Sequence, residues 1–186
     1  MNVEPVALQT PFSKEQVYTL RAGTRVLISG RVYGARDAAH KRLVELISQN
    51  KALPVALQDQ VIYYVGPAPA SAGHAIGPAG PTTSGRMDPY TIPILQQGVR
   101  GLIGKGYRSP EVQAALTHYG AVYFGTVGGA AALLARQIRA SRVVAFEDLG
   151  PEALFEFEFE RFPAIVVNDV YGNEAYVRPT LEGGPS

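Results

Sequence analysis

The sequence predicts an α/β fold with a parallel central sheet, crossover helices and a second, mixed sheet. Three observations carry that expectation. Short apolar runs alternate with helix-type segments through the middle of the chain, the pattern of strand–helix–strand units. An Asp or Ser followed by Pro, at Asp88-Pro89 and Ser109-Pro110, punctuates the same region as helix starts do. The tail turns strand-rich, with the period-two run Phe155–Phe159 (FEFEF) and the apolar run Ala164–Val167 (AIVV).

In chain order, Thr24–Gly30 (TRVLISG) reads as a strand that leads through Arg31–Arg36 to Asp37, an N-cap for a helix over Ala38–Gln49. Ala39, Leu43, Leu46 and Ile47 recur at helical spacing and give that helix one apolar face. Val61–Val65 is a short strand of the buried type. Gly66–Arg86 is irregular and rich in Gly, Pro and Ala, and so long a loop in a compact domain is functional or disordered. Asp88 suits an N-cap and Pro89 the first turn of a helix whose regularity Pro93 limits. Gly101–Gly104 is a strand, and Ser109-Pro110-Glu111 opens a helix that Gly120 closes. Ala121–Phe124 is a strand, Ala130–Arg139 a helix and Arg142–Phe146 a strand. The alternation at Phe155–Phe159 fits a half-buried strand, and Tyr171-Gly172-Asn173 turns the chain between Ala164–Val167 and Glu174–Val177.

Composition bounds the function. No linker or repeat divides the 186 residues, so one domain over 1–186 is expected. Lys and Arg number 17 against 16 Asp and Glu, a net charge of +1, which gives no electrostatic footprint for nucleic acid. No apolar run approaches the roughly 20 residues that cross a bilayer, and the N-terminal residues lack the form of a signal peptide. Cysteine is absent, which fits a cytoplasmic setting and leaves no thiolate to ligate a soft metal.

The densest chemistry lies in Gly80–Asp88 (GPTTSGRMD). Thr82, Thr83, Ser84 and Arg86 crowd donors into a Gly- and Pro-bounded loop ahead of a helix start, where a carboxylate or phosphate would sit. The bland alternative is an exposed turn with Thr and Ser as caps. Arg36 lies at a strand-to-helix junction, where α/β sheets place ligand contacts, whereas Lys41 and Arg42 read as a solvated face. Lys105 stands between glycines after a strand, either as a surface turn or as a cation at a strand end. His40 reads as a packed or surface histidine rather than a catalyst. Gly125-Thr126-Val127-Gly128-Gly129, with Glu147 after the next strand, imitates a dinucleotide fingerprint without its spacing. Close packing or an anion nest explains it better, and a stand-alone anion- or nucleotide-binding module is the different-class alternative.

Taken together, GARDAAHKRL, GPAGPTTSGRMD, IGKG, FGTVGGAAALLA, VVAFEDLGPEA and FPAIVVNDVYGNEAY resemble the class I, iron–sulfur-dependent fumarate hydratases and L-tartrate dehydratases. The resemblance runs from about Arg25 to Tyr176 and is to the β subunit of the two-subunit form. It implies a swivelling β/β/α domain and reversible hydration of a dicarboxylic alkene: fumarate to (S)-malate, with L-tartrate or mesaconate as the alternatives. It also implies an α subunit whose three cysteines bind a [4Fe–4S] cluster, in an α2β2-type heteromer, with no cluster ligand in this chain. By the same resemblance Thr82 is the catalytic base and Arg36, Arg86 and Lys105 are substrate-binding cations. Thr83 and Ser84 are further candidates to touch the substrate.

Overall fold

The computed structural model describes residues 4–126 and 130–176. Its elements are β1 (Val6–Gln9), α1 (Lys14–Thr19), β2 (Arg25–Gly34), α2 (Asp37–Ser48), β3 (Val61–Tyr63), a 3-10 turn (Ser84–Met87), α3 (Asp88–Gln96), β4 (Gly101–Gly104), α4 (Pro110–Tyr119), β5 (Val122–Gly125), α5 (Ala131–Ala135), β6 (Ile138–Ala145), a second 3-10 segment (Glu147–Glu152) and β7 (Leu154–Asn168). Among the described residues no helix is long and apolar enough to cross a membrane.

Parallel neighbours cannot be joined by a tight turn, so each needs a crossover. Here α2 links β2 to β3, α3 links β3 to β4, and α4 links β4 to β5, while β1 to β5 lie parallel in sequence order. The caps expected for α4 are present: the Ser109 hydroxyl accepts from the Val112 N–H at 3.2 Å, and Gly120 ends the helix in the left-handed conformation.

The tail differs from expectation in an instructive way. No separate second sheet forms among the described residues; β7 runs antiparallel against β5, β2 and β6 within the same seven-stranded sheet. Because β7 joins both β5 and β2, the pairing β2–β3–β4–β5–β7–β2 closes on itself, with β1 and β6 flanking the ring. Alternation then sorts the core. Val61, Tyr63, Val65, Ile103, Val122, Phe124, Phe157, Phe159 and Phe162 belong to one buried cluster, which the strands enclose. The intervening Ile62, Tyr64, Leu102 and Tyr123 pack with Leu43 of α2, Ile94 and Leu95 of α3 and Leu116 of α4 in a second.

Several boundaries move for local reasons. Strand β2 continues to Gly34, because Gly30 (φ 100°) is a bulge where the register against β7 shifts rather than the end of the strand. Likewise β7 is one strand across Pro163; the irregularity is taken up opposite that bulge, where Arg161 (φ 52°) donates its N–H to the Ser29 hydroxyl at 2.9 Å. The helix expected to reach Arg139 stops at Ala135, and its second half starts β6. Strand β1 and helix α1 were not expected at all. Of the strand expected at Glu174–Val177 there is a bridge between Glu174 and Asn168, while Val177 lies outside the described residues.

Candidate active site

The carboxyl ends of β2, β3, β4 and β5 stand side by side, since Gly34 is in register with Tyr63, Tyr63 with Ile103, and Ile103 with Phe124. Parallel sheets bind ligands just beyond such ends. Arg36 stands two residues past β2 and Lys105 directly past β4, so two of the expected cations fall on this edge.

The loop joins them there through its backbone. Thr82 donates its N–H to the Tyr64 carbonyl at 2.7 Å, Thr83 forms a parallel bridge with Lys105, and Ser84 donates to the Lys105 carbonyl at 2.9 Å. Residues 82–84 thereby wedge between the ends of β3 and β4. Thr82 is half-buried and Thr83 exposed. Among the described residues the Thr82 hydroxyl makes no hydrogen bond and the Lys105 ammonium no ion pair. Lys105 also lines an apolar groove of about 910 Å³ together with Tyr107, Leu133, Ile165 and Tyr176.

Ser84 is placed otherwise than expected. Its side chain is fully buried, and its oxygen lies 2.8 Å from the Tyr123 hydroxyl, which itself donates to the Gly106 carbonyl at 2.9 Å. Tyr123 has one proton, so Ser84 is the donor of the shorter contact. Burial raises the Tyr123 pKa, which keeps that phenol protonated. Ser84 therefore anchors the loop to the sheet through its side chain. A Cβ on Gly104 would overlap the Ser84 hydroxyl and come within 2.9 Å of the Tyr64 ring, so only glycine lets the loop dock here.

Arg86 and Arg36 meet through Asp37. The Arg86 Nε and Nη2 donate to the two oxygens of Asp37 at 3.1 and 2.8 Å. Arg36 Nε lies 3.5 Å from the same carboxylate and 3.2 Å from Glu152 Oε1, yet its buried N–H is directed at neither oxygen, so these are charge contacts without a hydrogen bond. Asp37 is thus the first residue of α2 and a shared counter-ion, not the N-cap expected; Arg36 holds the cap position and makes no side-chain cap bond.

Two further residues support the site from beneath. Arg108 is 1% exposed; it donates to Asp88 at 2.7 Å, to the Tyr64 hydroxyl at 3.1 Å and to Thr91 at 2.6 Å. Asp88 also accepts from the Ser109 N–H at 2.8 Å, so it ties α3 to the start of α4 instead of capping its own helix. Sequence spacing held no signal for this pair, because the partners meet only through the fold.

His40 is 1% exposed and packs edge-on against Tyr64. Its Nδ1 lies 3.0 Å from the Arg36 carbonyl, an acceptor only, so that nitrogen carries the proton and the ring is neutral. Burial pushes its pKa down to about 4. Between pH 6.5 and 4 the unfolded chain then binds a proton that the folded chain does not, so stability falls as the pH is lowered through that window. A loss of about 3 kcal/mol is expected from pH 7 to pH 4, read by urea unfolding at several pH values. His40→Gln should flatten the acid limb; an unchanged limb would place its origin in other groups.

The chain has no cysteine, and among the described residues no group of three or more His, Cys, Asp or Glu side chains could hold a metal ion. Of the Gly125–Gly129 turn, residues 127–129 lie outside the described residues.

Comparison with known proteins identifies the family. Residues 1–178 match a family model described as fumarase C-terminus. The anaerobic class I fumarate hydratase of Escherichia coli K12 is 43% identical over 156 residues, 82% of this chain and 28% of the relative. Fumarate hydratase 2 of Leishmania major is 39% identical over 92% of this chain and 31% of its own length. The chain thus spans about a third of the fumarate hydratases it matches. A Methanocaldococcus jannaschii protein, provisionally named L(+)-tartrate dehydratase subunit beta, is 35% identical over 88% of this chain and 87% of its own length. With a family model covering all but the last residues, this chain belongs to the fumarase C-terminus family.

Proposed function

We propose that the chain is the β subunit of a hydro-lyase that adds water reversibly across fumarate to give (S)-malate, acting as one swivelling β/β/α-type domain over residues 1–186. The observation that supports this reading is that Thr82 follows the end of β3 by its backbone bond to Tyr64, beside Lys105 at the end of β4, while Arg36 and Arg86 share Asp37 past the end of β2. A four-carbon diacid carries a carboxylate at each end, and Arg recognises carboxylates through a planar fork. Dehydration removes a proton next to one carboxylate and expels hydroxide from the neighbouring carbon. Proton removal builds charge on the adjacent carboxylate, where positive groups help most if their contacts tighten in the transition state, and departure of hydroxide discharges it into the new double bond.

Thr82 is the group proposed to take the proton. As a free alcohol it is a weak base, so it needs the surrounding positive charge or a second acceptor. Thr83, exposed beside it and bridged to Lys105, is proposed to contact the substrate. A [4Fe–4S] cluster belongs, in this proposal, to a partner α subunit with three ligating cysteines in an α2β2-type assembly. This chain has no cysteine to hold one, and the fumarate hydratases it matches are about three times its length. The name of the M. jannaschii relative favours L-tartrate as a second substrate reading with the same diacid chemistry.

Anaerobic co-purification with the α subunit tests the proposal. The pair should interconvert malate and fumarate, and the isolated chain should not. Arg86→Lys in the pair should lower kcat/KM by about ten- to hundredfold, because an ammonium cannot replace the fork. Diacid turnover by the chain alone would sink the reading.

A further inference from the structure

The geometry of Asp37 gives it a more specific task than that of a counter-ion. Both carboxylate oxygens are used by the guanidinium of Arg86, at 3.1 Å to Nε and 2.8 Å to Nη2, across 49 residues of sequence. The second oxygen also stands 3.5 Å from Arg36 Nε. A guanidinium has two edges that can grip a carboxylate, one through Nε and an Nη and one through the two Nη atoms. Asp37 takes the first edge of Arg86 and leaves the second. The Arg86 side chain is 52% exposed, so without a clamp its long stem would sample many rotamers. Asp37 itself sits on the first turn of α2 on the rigid sheet edge, a better mount than the loop that carries Arg86.

We propose that Asp37 is a positioning residue: it fixes the plane of Arg86 by one edge so that the Nη1–Nη2 edge takes a substrate carboxylate, and it holds Arg36 beside it. This rests on the diacid hydro-lyase reading above. A tie that serves folding alone is the competing explanation. So is a latch, in which Asp37 and the substrate compete for the same arginine. An exposed ion pair contributes little to stability, which separates the folding role from the positioning role.

The test uses the assembled α–β complex. Asp37→Asn keeps the size of the side chain but removes its charge and one arm of the fork. The expected result is a KM for malate raised by about tenfold, with the inhibition constant of succinate, a saturated diacid that cannot react, raised in parallel. The melting temperature should stay close to that of the wild type. In an Arg86→Lys background the same change should add less than about a twofold effect, because the two residues act as one unit. Asp37→Glu, which keeps the charge, should recover part of the loss and stands in if the Asn variant fails to assemble. Unchanged constants, a lowered KM as a latch would give, or full additivity with Arg86→Lys would overturn the inference while wild-type turnover upheld the hydro-lyase reading. A wild-type complex that neither binds succinate nor turns over malate would overturn both.

Discussion

Thr82→Ala should lower kcat of the assembled enzyme by about 10²–10⁴-fold, the range for losing a positioned acid–base group, and leave succinate binding within about twofold. The substitution removes a hydroxyl and a methyl but no hydrogen bond seen among the described residues to hold the loop. Thr82 is fixed by its backbone N–H on the Tyr64 carbonyl, the following residue by the bridge to Lys105, and Ser84 by its own buried hydroxyl. Among the described residues no hydrogen bond to the Thr82 hydroxyl is lost. The effect should therefore fall on kcat while binding is spared, the signature of a contact made in the transition state. Steady-state kinetics in both directions, with succinate inhibition measured on the same preparation, would check it. Thr83→Ala is the internal control, and its effect should be the smaller. Near-normal turnover of Thr82→Ala would move the base to another group. Ser84 would not inherit the role, because its hydroxyl is buried and donates to Tyr123.

What was legible in the sequence follows the range of each interaction. The four strands and three crossovers that build the edge declare themselves through local apolar runs and through Ser109 and Gly120, whose capping geometry depends on neighbours a few residues away. The loop Gly80–Asp88 stood out by its own composition. What was missed depends on contacts formed at a distance. Gly30 looked like a strand end because a glycine with positive φ breaks local periodicity, and only the pairing with β7 makes it a bulge. Phe155–Phe159 and Ala164–Val167 read as two strands because Pro163 lies between them; their union depends on β2, which lies more than a hundred residues earlier. The closure of the ring by β7 carries no local mark at all. In the site, residue types were readable but pairings were not: Asp37 looked like a cap, and nothing local marked Arg108 as buried. Ser84 shows the same limit from the other side, since a hydroxyl in a polar loop gives no sign that it will be buried.

The largest stability effect is expected from Asp88→Ala. It would take from Arg108, whose side chain is 0% exposed, the carboxylate 2.7 Å away, and the Tyr64 and Thr91 hydroxyls that also accept from it are neutral. Burial alone would push the Arg108 guanidinium down; Tyr64 and Asp88 outweigh that and hold it above its ordinary value. Removing one partner of a buried pair costs about 3–5 kcal/mol, far more than the pair contributes against an apolar replacement. For a chain of this size that corresponds to a melting temperature lower by about 6–20 °C, and Asp88→Asn, which keeps an acceptor for the Ser109 N–H, should lose less. Replacing Arg108 by Met and Asp88 by Leu together should recover part of the loss, since the buried guanidinium is removed along with its carboxylate. The same contacts connect stability to the site: the Tyr64 side chain holds Arg108, while its carbonyl holds Thr82. In Asp88→Ala the loop should therefore loosen before the domain melts, seen as faster hydrogen exchange at the Thr82 and Ser84 amides. Unfolding unchanged by Asp88→Ala would mean that the carboxylate does not hold the buried charge and that the edge draws its rigidity from the strands alone.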